Sequence, residues 1–527
     1  MKDPNPKIRV LFYFLILLLI FPALFLNLGL MPVSGDEGTR ALVSMEMEYS
    51  GNYITPTING EFYFNKPPLY NWVLMAFFKI SNSHSEFIVR LPAVISLLLF
   101  GLTIFLSFFK KYGTRAAFLS ALVFISCGRI LFYDSMNGYI DITFSWFVFL
   151  NFILIYRFYR REQFFALFAV SYFLCAVCFL MKGLPALLFQ GISLLVLFIS
   201  FRNFKKLFSF AHLSGIIIFF LLAGSYYYAL FQQNPNPGYF STLVDESAKR
   251  TFVEYGFLRT LSHLFTYPAE QIYHLFPWSL LLIVLLSKKT LQFLKNDEFL
   301  KYLGLIFIFN IPVYWISVES YPRYIFSLYP VFLSICIIVY VHFRDQIPVL
   351  IKLTERLIAL SLLLLIPLSL LFPEFYEFII IQNPIRLMTF GSGFILLILL
   401  TYYFFAPFRL EITILALLLF RIGFNFIALP ERYSESRSVM QKIQAEKVGE
   451  LSKEKELFLA PFAPSSHETS FYIAGKTGKI LPRCYTEPQP GDYFIFDNRD
   501  KIKDNESVIF TYETRWRNSV LRLSEIK

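Results

Sequence analysis

Two short segments near the N-terminus place acidic and basic side chains beside apolar stretches. Residues 35–40 read Gly-Asp-Glu-Gly-Thr-Arg and include Asp36, Glu37 and Arg40. Lys66 follows, directly before two prolines. A carboxylate can take a proton from a hydroxyl, and lysine and arginine can hold an anionic phosphate. Charge is costly where a chain meets lipid, so acids and bases gathered there usually form a site or a deliberate ion pair. This loop is therefore the first candidate for chemistry.

The elements that must position these residues are membrane-spanning helices. Of the 527 residues, 56% are hydrophobic and 16% are charged, and apolar stretches of about twenty residues, enough to cross a bilayer, recur from end to end. Hydropathy predicts about thirteen spans. They cover residues 8–30, 87–109, 115–133, 138–157, 163–181, 184–201, 208–231, 271–287, 299–318, 323–342, 351–372, 387–405 and 411–429. The first run lacks the usual small-residue cleavage site of a signal peptide, so we expect it to be a retained span.

Basic residues indicate how the spans are oriented, because lysine and arginine accumulate in short cytoplasmic loops. The clusters are Lys110, Lys111 and Arg115; Arg157, Arg160 and Arg161; Arg202, Lys205 and Lys206; Lys288, Lys289 and Lys295; Arg344 and Lys352; and Arg409. With the N-terminus in the cytoplasm, each cluster falls on the cytoplasmic side, and the loop with Asp36 and Lys66 faces out. The net charge of +11 therefore reports topology and does not indicate a nucleic-acid partner.

The chain divides into two regions of different character. Residues 1–430 form the predicted membrane domain, and its loops 31–86 and 232–270 lie on the outer face. Residues 431–527 form a small soluble α/β domain on that same face, since an odd number of spans places the C-terminus outside. A charged helix is expected near its start, and strands are expected at Leu457–Ala460, Phe471–Ala474, Tyr493–Phe496 and Ser507–Tyr512. Roughly a hundred residues can bury a modest core.

Further polar residues lie in the loops that are predicted to face out. They include Asp141, Lys182, Asp245, Glu246, Lys249, Arg250, His263, Tyr267, Arg323 and Tyr324. Carboxylates and cations thus collect on one face of the bilayer. Such a collection suits a reaction in which cations hold an anionic lipid phosphate while a carboxylate activates a hydroxyl.

Structural roles stay open for several of these residues. Asp36 and Glu37 can cap a short helix, and Lys66 can extend to lipid headgroups. Asp141 differs, because it lies at the edge of an apolar span, where an unpaired carboxylate is costly. Lys182, at the junction of two apolar runs, is in a similar position.

The sequence predicts no metal or other cofactor. Cys175 and Cys178 have the spacing of a metal-binding pair, but they lie in the middle of a span and no second pair completes a site. The six histidines are scattered without ligand spacing. The cysteines are accordingly interpreted as packing residues.

Several segments between residues 35 and 325 resemble, in order, the bacterial transferases of the protein O-mannosyltransferase and lipid A aminoarabinose transferase type, which are GT-C glycosyltransferases. The segments are residues 35–40, 49–56, 63–72, 139–141, 181–187, 244–250, His263, Tyr267, 276–278 and 321–325. The resemblance implies transfer of a sugar from a polyprenyl phosphate carrier to an acceptor on the outer face of the plasma membrane, with inversion at the anomeric carbon. The implied acceptor is lipid A, another lipopolysaccharide sugar or a protein hydroxyl.

The same resemblance implies roles for individual residues. Asp36 is the expected catalytic carboxylate, as a base or an orienting group, and Glu37 supports it. The expected residues for binding carrier and sugar are Arg40, Lys66, Asp141, Lys182, Arg250, His263, Tyr267, Arg323 and Tyr324. The family leaves metal dependence open, since some GT-C enzymes use a divalent metal.

Two positions depart from the family pattern. Asn65 stands where the aminoarabinose transferases often have glutamate, and Ser320 stands where they have lysine, with Arg323 close by. We therefore expect the phosphate contacts to be redistributed.

A transporter or flippase of lipid-linked sugars and a scaffold without chemistry are the alternative functions. Charge gathered at one face, without symmetry between the two halves, favours the enzyme over the transporter.

Overall fold

The computed structural model describes residues 6–235, 238–239, 242, 257–371, 383–405, 407–502, 504–514 and 519–527, and most of these residues are helical. The helices before residue 427 are α1 (Pro6–Phe25), α2 (Asp36–Ser50), α3 (Leu69–Ser81), α4 (Glu86–Ile125), α5 (Gly128–Phe132), α6 (Ile140–Arg160), α7 (Phe164–Lys182), α8 (Pro185–Ser200), α9 (Phe210–Gln233), α10 (Phe257–His274), α11 (Lys288–Asn296), α12 (Glu298–Asn310), α13 (Pro312–Trp315), α14 (Tyr329–His342), α15 (Pro348–Leu371), α16 (Asn383–Phe405) and α17 (Arg409–Phe426). Shorter 3-10 turns are Asp134–Met136, Phe204–Phe208, Trp278–Leu286 and Pro322–Ile325. Every predicted span overlaps at least one of these elements.

The predicted spans 87–109 and 115–133 lie largely in one element, α4, which bends at Gly113. The backbone angles of Gly113 are φ 81° and ψ 167°, a conformation that residues with a Cβ rarely adopt. The second arm of α4 ends at Ile125, and the separate short helix α5 follows. The second of these two spans is therefore shorter than its hydropathy suggested.

The chain has the helices of a multi-pass membrane protein. Within the described residues, six helices are long and apolar enough to cross a bilayer, or seven if the bent pair formed by α10 and the turn Trp278–Leu286 counts as one span. Three shorter apolar helices occur at Pro185–Ser200, Tyr329–His342 and Gly391–Phe404. The total of about thirteen spans stays a prediction.

Two neighbouring helices bring opposite charges to the same end of the bundle. Helices α6 and α7 pack against each other and follow one another in the chain, so the start of α6 lies beside the end of α7. Asp141 is in the first turn of α6, and Lys182 is in the last turn of α7. Each charge also complements the dipole of its own helix.

The first predicted loop is a folded layer and not an open loop. Helix α2 is followed by a hairpin of β1 (Thr57–Ile58) and β2 (Glu61–Phe62), and then by α3. Buried Glu46, on α2, accepts hydrogen bonds from the Asn59 N–H at 2.6 Å, the Thr57 hydroxyl at 2.7 Å and the Gly60 N–H at 3.2 Å. Burial raises the pKa of Glu46, and the three hydrogen bonds oppose that rise. Glu46 thus fastens the hairpin to the helix.

The residues after α17 form three helices and a small sheet. The helices are α18 (Ala428–Glu435), α19 (Arg437–Leu451) and α20 (His467–Thr477), and the strands are β3 (Leu457–Leu459), β4 (Tyr493–Asp497), β5 (Glu506–Glu513) and β6 (Val520–Ile526). The sheet order is β3-β4-β6-β5, with β3 parallel to β4 and the other pairs antiparallel. The predicted C-terminal sheet and charged helix are present. The domain boundary near residue 430 stays a prediction.

One strand prediction in this region was wrong. Residues Phe471–Ala474 lie in α20, because Ser466 caps that helix by accepting the Thr469 N–H, and Gly478 ends it in a left-handed conformation. Strand β6, at the C-terminus, was missed. It pairs antiparallel with the preceding strand β5, where Glu513 is opposite Val520, and with β4, where Asp497 is opposite Leu521.

We expect Glu46→Ala to loosen the hairpin, because the Asn59 N–H, the Gly60 N–H and the Thr57 hydroxyl would each lose a buried acceptor, at about 1 kcal/mol apiece. The midpoint of thermal unfolding of the purified protein in detergent should fall. The matched control is Glu450→Ala, which removes an exposed carboxylate and should leave the midpoint nearly unchanged. Equal midpoints for the two variants would contradict this role of Glu46.

Candidate active site

A cavity opens between the first turn of α2, the segment after the hairpin, the adjoining ends of α6 and α7, and the turn that precedes α14. Its empty volume is about 640 Å³, which includes space open to solvent at its mouth. Its lining residues are Asp36, Arg40, Tyr63, Asn65, Lys66, Tyr139, Ile140, Asp141, Lys182 and Tyr324. Six predicted site residues, far apart in the sequence, therefore share one cavity.

Arg323 links the two carboxylates of the cavity. Its Nη2 donates to Asp36 on α2, and its Nε lies 3.1 Å from Oδ2 of Asp141 on α6. The Lys182 ammonium donates to the other oxygen of Asp141. The Asp141 side chain is 4% exposed, whereas that of Asp36 is 67% exposed. Asp141 is thus enclosed by two cations, and Asp36 faces open space.

Aromatic rings hold the cations of this network in place. The Lys182 ammonium lies 4.2 Å from the ring centre of Tyr324, and the Arg323 guanidinium lies 4.5 Å from the ring centres of Tyr139 and Tyr321. Cations over aromatic faces are stabilised where water is scarce. Lys182, Arg323 and Tyr324 therefore lie close together, and the aromatic rings flank the two cations.

Arg40 approaches the cavity from one turn further along α2. Its Nη2 donates to the Tyr63 hydroxyl at 2.5 Å, and its Nη1 lies 3.5 Å from Oδ1 of Asn71. Asn65 and Lys66 line the cavity nearby, in the segment between the hairpin and α3. The unusual residue Asn65 is thus at the site and not beside it.

Among the described residues at the cavity, positive side chains outnumber negative ones. Arg40, Lys66 and Lys182 line it and Arg323 contacts it, together with the carboxylates of Asp36 and Asp141. A poorly solvated site with an excess of positive charge attracts an anion, and the guanidinium and ammonium groups supply donors suited to phosphate oxygens.

Glu37 is next to Asp36 but does not line the cavity, so it can act only in support of Asp36, and its catalytic role stays a prediction. Its buried carboxylate accepts from Arg90 Nη2 at 2.8 Å and Arg90 Nε at 3.1 Å. It also accepts from the backbone N–H groups of Gly138 at 2.7 Å and Ser34 at 2.9 Å. These four contacts occupy both oxygens. Glu37 therefore fixes the position of the turn that carries Asp36.

Two other predicted residues, His263 and Tyr267, are described and do not line the cavity. His263 and Tyr267 lie on α10, where Nδ1 of His263 contacts the Trp315 carbonyl at 3.0 Å and the Tyr267 ring packs on His263. Neither residue lines the cavity, because α10 packs against α13. Arg250 lies outside the described residues, as do the other residues of 243–256 in the long loop that was expected to contribute it.

The described part of the chain contains no group of three or more histidine, cysteine, aspartate or glutamate side chains placed to hold a metal ion. The expectation that the protein needs no cofactor stays a prediction.

Arg90 and Tyr63 are the residues that sequence reasoning missed. Arg90 is 3% exposed and lies in the first turns of α4, inside a predicted span. A charged residue within an apolar span is itself a signal of a buried partner, so Arg90 could have been found. Tyr63 carries no comparable signal, since its role depends on the hairpin.

The chain is similar in sequence to several known proteins. The family model described as dolichyl-phosphate-mannose-protein mannosyltransferase matches residues 65–228. An uncharacterized protein of Aquifex aeolicus is 25% identical over 243 residues, 45% of this chain and 47% of that protein. The undecaprenyl phosphate-alpha-4-amino-4-deoxy-L-arabinose arabinosyl transferase of Pseudomonas savastanoi pv. phaseolicola is 28% identical over 209 residues, 38% of each chain. The chain spans less than half the length of these curated relatives.

The fold has close counterparts among solved structures. The crystal structure of ArnT from Cupriavidus metallidurans bound to undecaprenyl phosphate gives a TM-score of 0.71 at 17% identity and covers 98% of each chain. The apo structure of ArnT from the same organism gives 0.68 at 16% identity, over 99% of this chain and 98% of that one. At this level of identity the likeness shows a shared fold.

The chain shares its fold with ArnT from Cupriavidus metallidurans and has the apolar helices of a multi-pass membrane protein. In sequence it is similar to the dolichyl-phosphate-mannose-protein mannosyltransferase family model and to undecaprenyl phosphate-alpha-4-amino-4-deoxy-L-arabinose arabinosyl transferases. The resemblance stated from the sequence motifs is confirmed.

We expect Glu37→Ala to destabilise the protein strongly, because it leaves the buried Arg90 without its carboxylate, a loss that typically costs about 3–5 kcal/mol. The fraction of folded, monodisperse protein after detergent extraction should fall well below that of the exposed-site control, Glu450→Ala. Combining Glu37→Gln with Arg90→Met, which removes both charges, should recover part of the loss. A fully stable Glu37→Ala protein would show that the pair does not hold the turn.

Proposed function

We propose that this chain is an integral membrane glycosyltransferase that moves a sugar from a polyprenyl phosphate carrier to a hydroxyl of lipid A, another lipopolysaccharide sugar or a protein. The observation that carries the proposal is the cavity in which Arg40, Lys66, Lys182 and Arg323 surround an accessible carboxylate, Asp36. The family match over residues 65–228 and the shared fold with a carrier-bound transferase support it.

The charge excess fits the change that occurs at the carrier. A sugar-linked phosphate diester carries one negative charge, and it gains a second when the sugar departs. Cations aimed at that developing charge in a poorly solvated site lower the barrier. Lysine and arginine side chains supply the positive charge here, so we propose that no cofactor is required.

The two carboxylates differ in what they can do. Asp141 is enclosed by Lys182 and Arg323 and serves to orient these cations. Asp36 is the more accessible one and can reach an acceptor hydroxyl from the mouth of the cavity. In the transfer, that hydroxyl oxygen attacks the anomeric carbon, and its proton passes to Asp36. The bond from the anomeric carbon to the phosphate oxygen breaks, its electron pair stays on the phosphate, and attack opposite the leaving group inverts the configuration.

The proposed membrane and the proposed orientation of the chain in it rest on the basic clusters between the spans. They favour a cytoplasmic N-terminus in the plasma membrane, with the cavity and the C-terminal domain on the outer face. That face is where lipid-linked sugars and envelope acceptors would meet.

A direct assay tests the proposal. Purified protein would be incubated with a polyprenyl phosphate carrying a radiolabelled sugar and with lipid A or a serine-rich peptide, and the acceptor would be analysed by mass spectrometry. Transfer of the label to either acceptor is expected. Movement of the carrier across vesicle membranes without any transfer would show a flippase and overturn the proposal.

Asp36→Asn should leave the protein folded and lower the transfer rate by about 10²- to 10⁴-fold, the range that a general base contributes. The matched control is Asp345→Asn, which changes an exposed aspartate between α14 and α15, at the other end of α14 from the cavity. The control should keep the wild-type rate. A near wild-type rate for Asp36→Asn would rule out its role as the base.

Lys66→Ala should chiefly weaken carrier binding. Loss of one charge-assisted hydrogen bond, worth about 1.5–3 kcal/mol, predicts a rise of roughly 10- to 100-fold in the KM for the carrier, with a smaller change in kcat. Lys79→Ala on α3, which removes a lysine that contacts Tyr53 outside the cavity, is the control. If the acceptor KM rose and the carrier KM did not, Lys66 would belong to the acceptor subsite.

A further inference from the structure

The C-terminal domain touches the turn that carries Asp36. Oε1 of Glu468, in the first turn of α20, accepts the backbone N–H of Gly35 at 2.7 Å. Nδ1 of the neighbouring His467 lies 2.8 Å from the Thr39 hydroxyl. The two residues therefore contact α2 on either side of its first turn, across more than four hundred residues of sequence.

Glycines allow this close approach. A Cβ built on Gly38 would lie 2.6 Å from Cγ of Glu468. A side chain at position 38 would therefore force Glu468 to move from its present position. Gly35 has a φ of 57° as the residue that precedes the helix, a backbone conformation that favours glycine. The glycines of the Gly-Asp-Glu-Gly motif thus shape the contact, while Asp36 between them faces the cavity.

A second contact fastens the same segment a few residues earlier. The Tyr472 hydroxyl, also on α20, accepts the Val33 N–H at 2.8 Å and donates to Glu86 at 3.0 Å. Lys442 on α19 pairs with Glu86 as well. The C-terminal domain is therefore joined to both the α1–α2 connection and the start of α4.

The surroundings of His467 keep it uncharged. Burial lowers its pKa below the ordinary value, the nearby Arg40 and Arg483 lower it further, and Glu468 opposes them. A neutral ring can share one hydrogen bond with the Thr39 hydroxyl without adding a third positive charge beside these arginines.

From these contacts we propose that the C-terminal domain holds the first turn of α2 so that Asp36 faces the cavity, with Glu468 and His467 as positioning residues. This inference rests on the proposed role of Asp36 in sugar transfer. The first N–H groups of a helix have no partner within it, and an end without partners frays. Glu37 fixes this end from the membrane domain, and Glu468 fixes it from the other side. Arg40 is also held by Tyr63, so loss of Glu468 should affect Asp36 more than carrier binding.

The test compares three full-length variants. Glu468→Ala removes the acceptor, Glu468→Gln keeps an oxygen of the same reach, and Glu487→Ala removes an exposed carboxylate elsewhere in the C-terminal domain. Hydrogen–deuterium exchange is followed for the peptide that contains residues 33–40, and kcat and the carrier KM are measured for each variant.

For Glu468→Ala, exchange of that peptide should rise about tenfold, as expected for the loss of one hydrogen bond to a charged acceptor. Its kcat should fall roughly 10- to 100-fold, since small misplacements of a reacting group have effects of that size, and the carrier KM should stay within about twofold of the wild type. Glu468→Gln and Glu487→Ala should resemble the wild type in all three measurements. Unchanged exchange in Glu468→Ala, or an equal loss of kcat in Glu468→Gln, would overturn the inference.

Thr39→Val provides a second, independent variant if Glu468→Ala does not fold. It keeps the shape of Thr39 and removes the hydroxyl that meets His467, so it should also raise exchange of residues 33–40 and lower kcat with the carrier KM unchanged. Hydrogen–deuterium exchange of residues 33–40 at the wild-type rate in Thr39→Val would show that His467 is not a positioning residue. If the wild type transfers no sugar while Glu468→Ala still raises exchange, the proposed function fails and the contact stands.

Discussion

The structure of the site depends on the cost of burying charge at the end of an apolar helical bundle. A carboxylate removed from water must be paired with cations or hydrogen-bond donors. Asp141 meets this requirement with Lys182 and Arg323, and Glu37 meets it with Arg90 and two backbone N–H groups. These pairs connect α2, α4, α6, α7 and the turn before α14. The same ion pairs therefore assemble the cavity and fix its geometry.

Adjacent carboxylates have opposite roles because a helix turns by about 100° from one residue to the next. Glu37 points into the bundle, where four donors hold it. Asp36 points toward the cavity, where Arg323 holds it on one side and open space lies on the other. A single turn of helix thus contains both an anchoring carboxylate, Glu37, and the proposed base, Asp36, and the position of one determines the position of the other.

The class of fold could be predicted from the sequence, because apolar stretches and basic clusters are local patterns. The candidate residues Asp36, Arg40, Lys66, Asp141, Lys182 and Tyr324 were also identified correctly as neighbours, through motifs that resemble a known family. The orientation of Glu37 was not predictable, since it follows from Arg90 and from the backbone at Gly138. His263 and Tyr267 lie outside the cavity lining, and their position depends on how α10 packs against α13. Their binding roles stay predictions. Residues 471–474 are helical because Ser466 and Gly478 cap that helix, local signals that the strand prediction overlooked. The place of β6 in the sheet depends on its pairing with both β4 and β5.

The way in which Asp36 is held suits a base that must act only when both substrates are present. Arg323 contacts Asp36 and Asp141 together, so an anionic phosphate that enters the cavity competes with both carboxylates for the same guanidinium. Asp141 keeps Lys182 as a second partner. Asp36, the more exposed of the two, has no second cation among the contacts described above, and it is therefore the carboxylate that phosphate binding would free. The unequal pairing of the two carboxylates thus links carrier binding to the group that is proposed to accept the acceptor's proton.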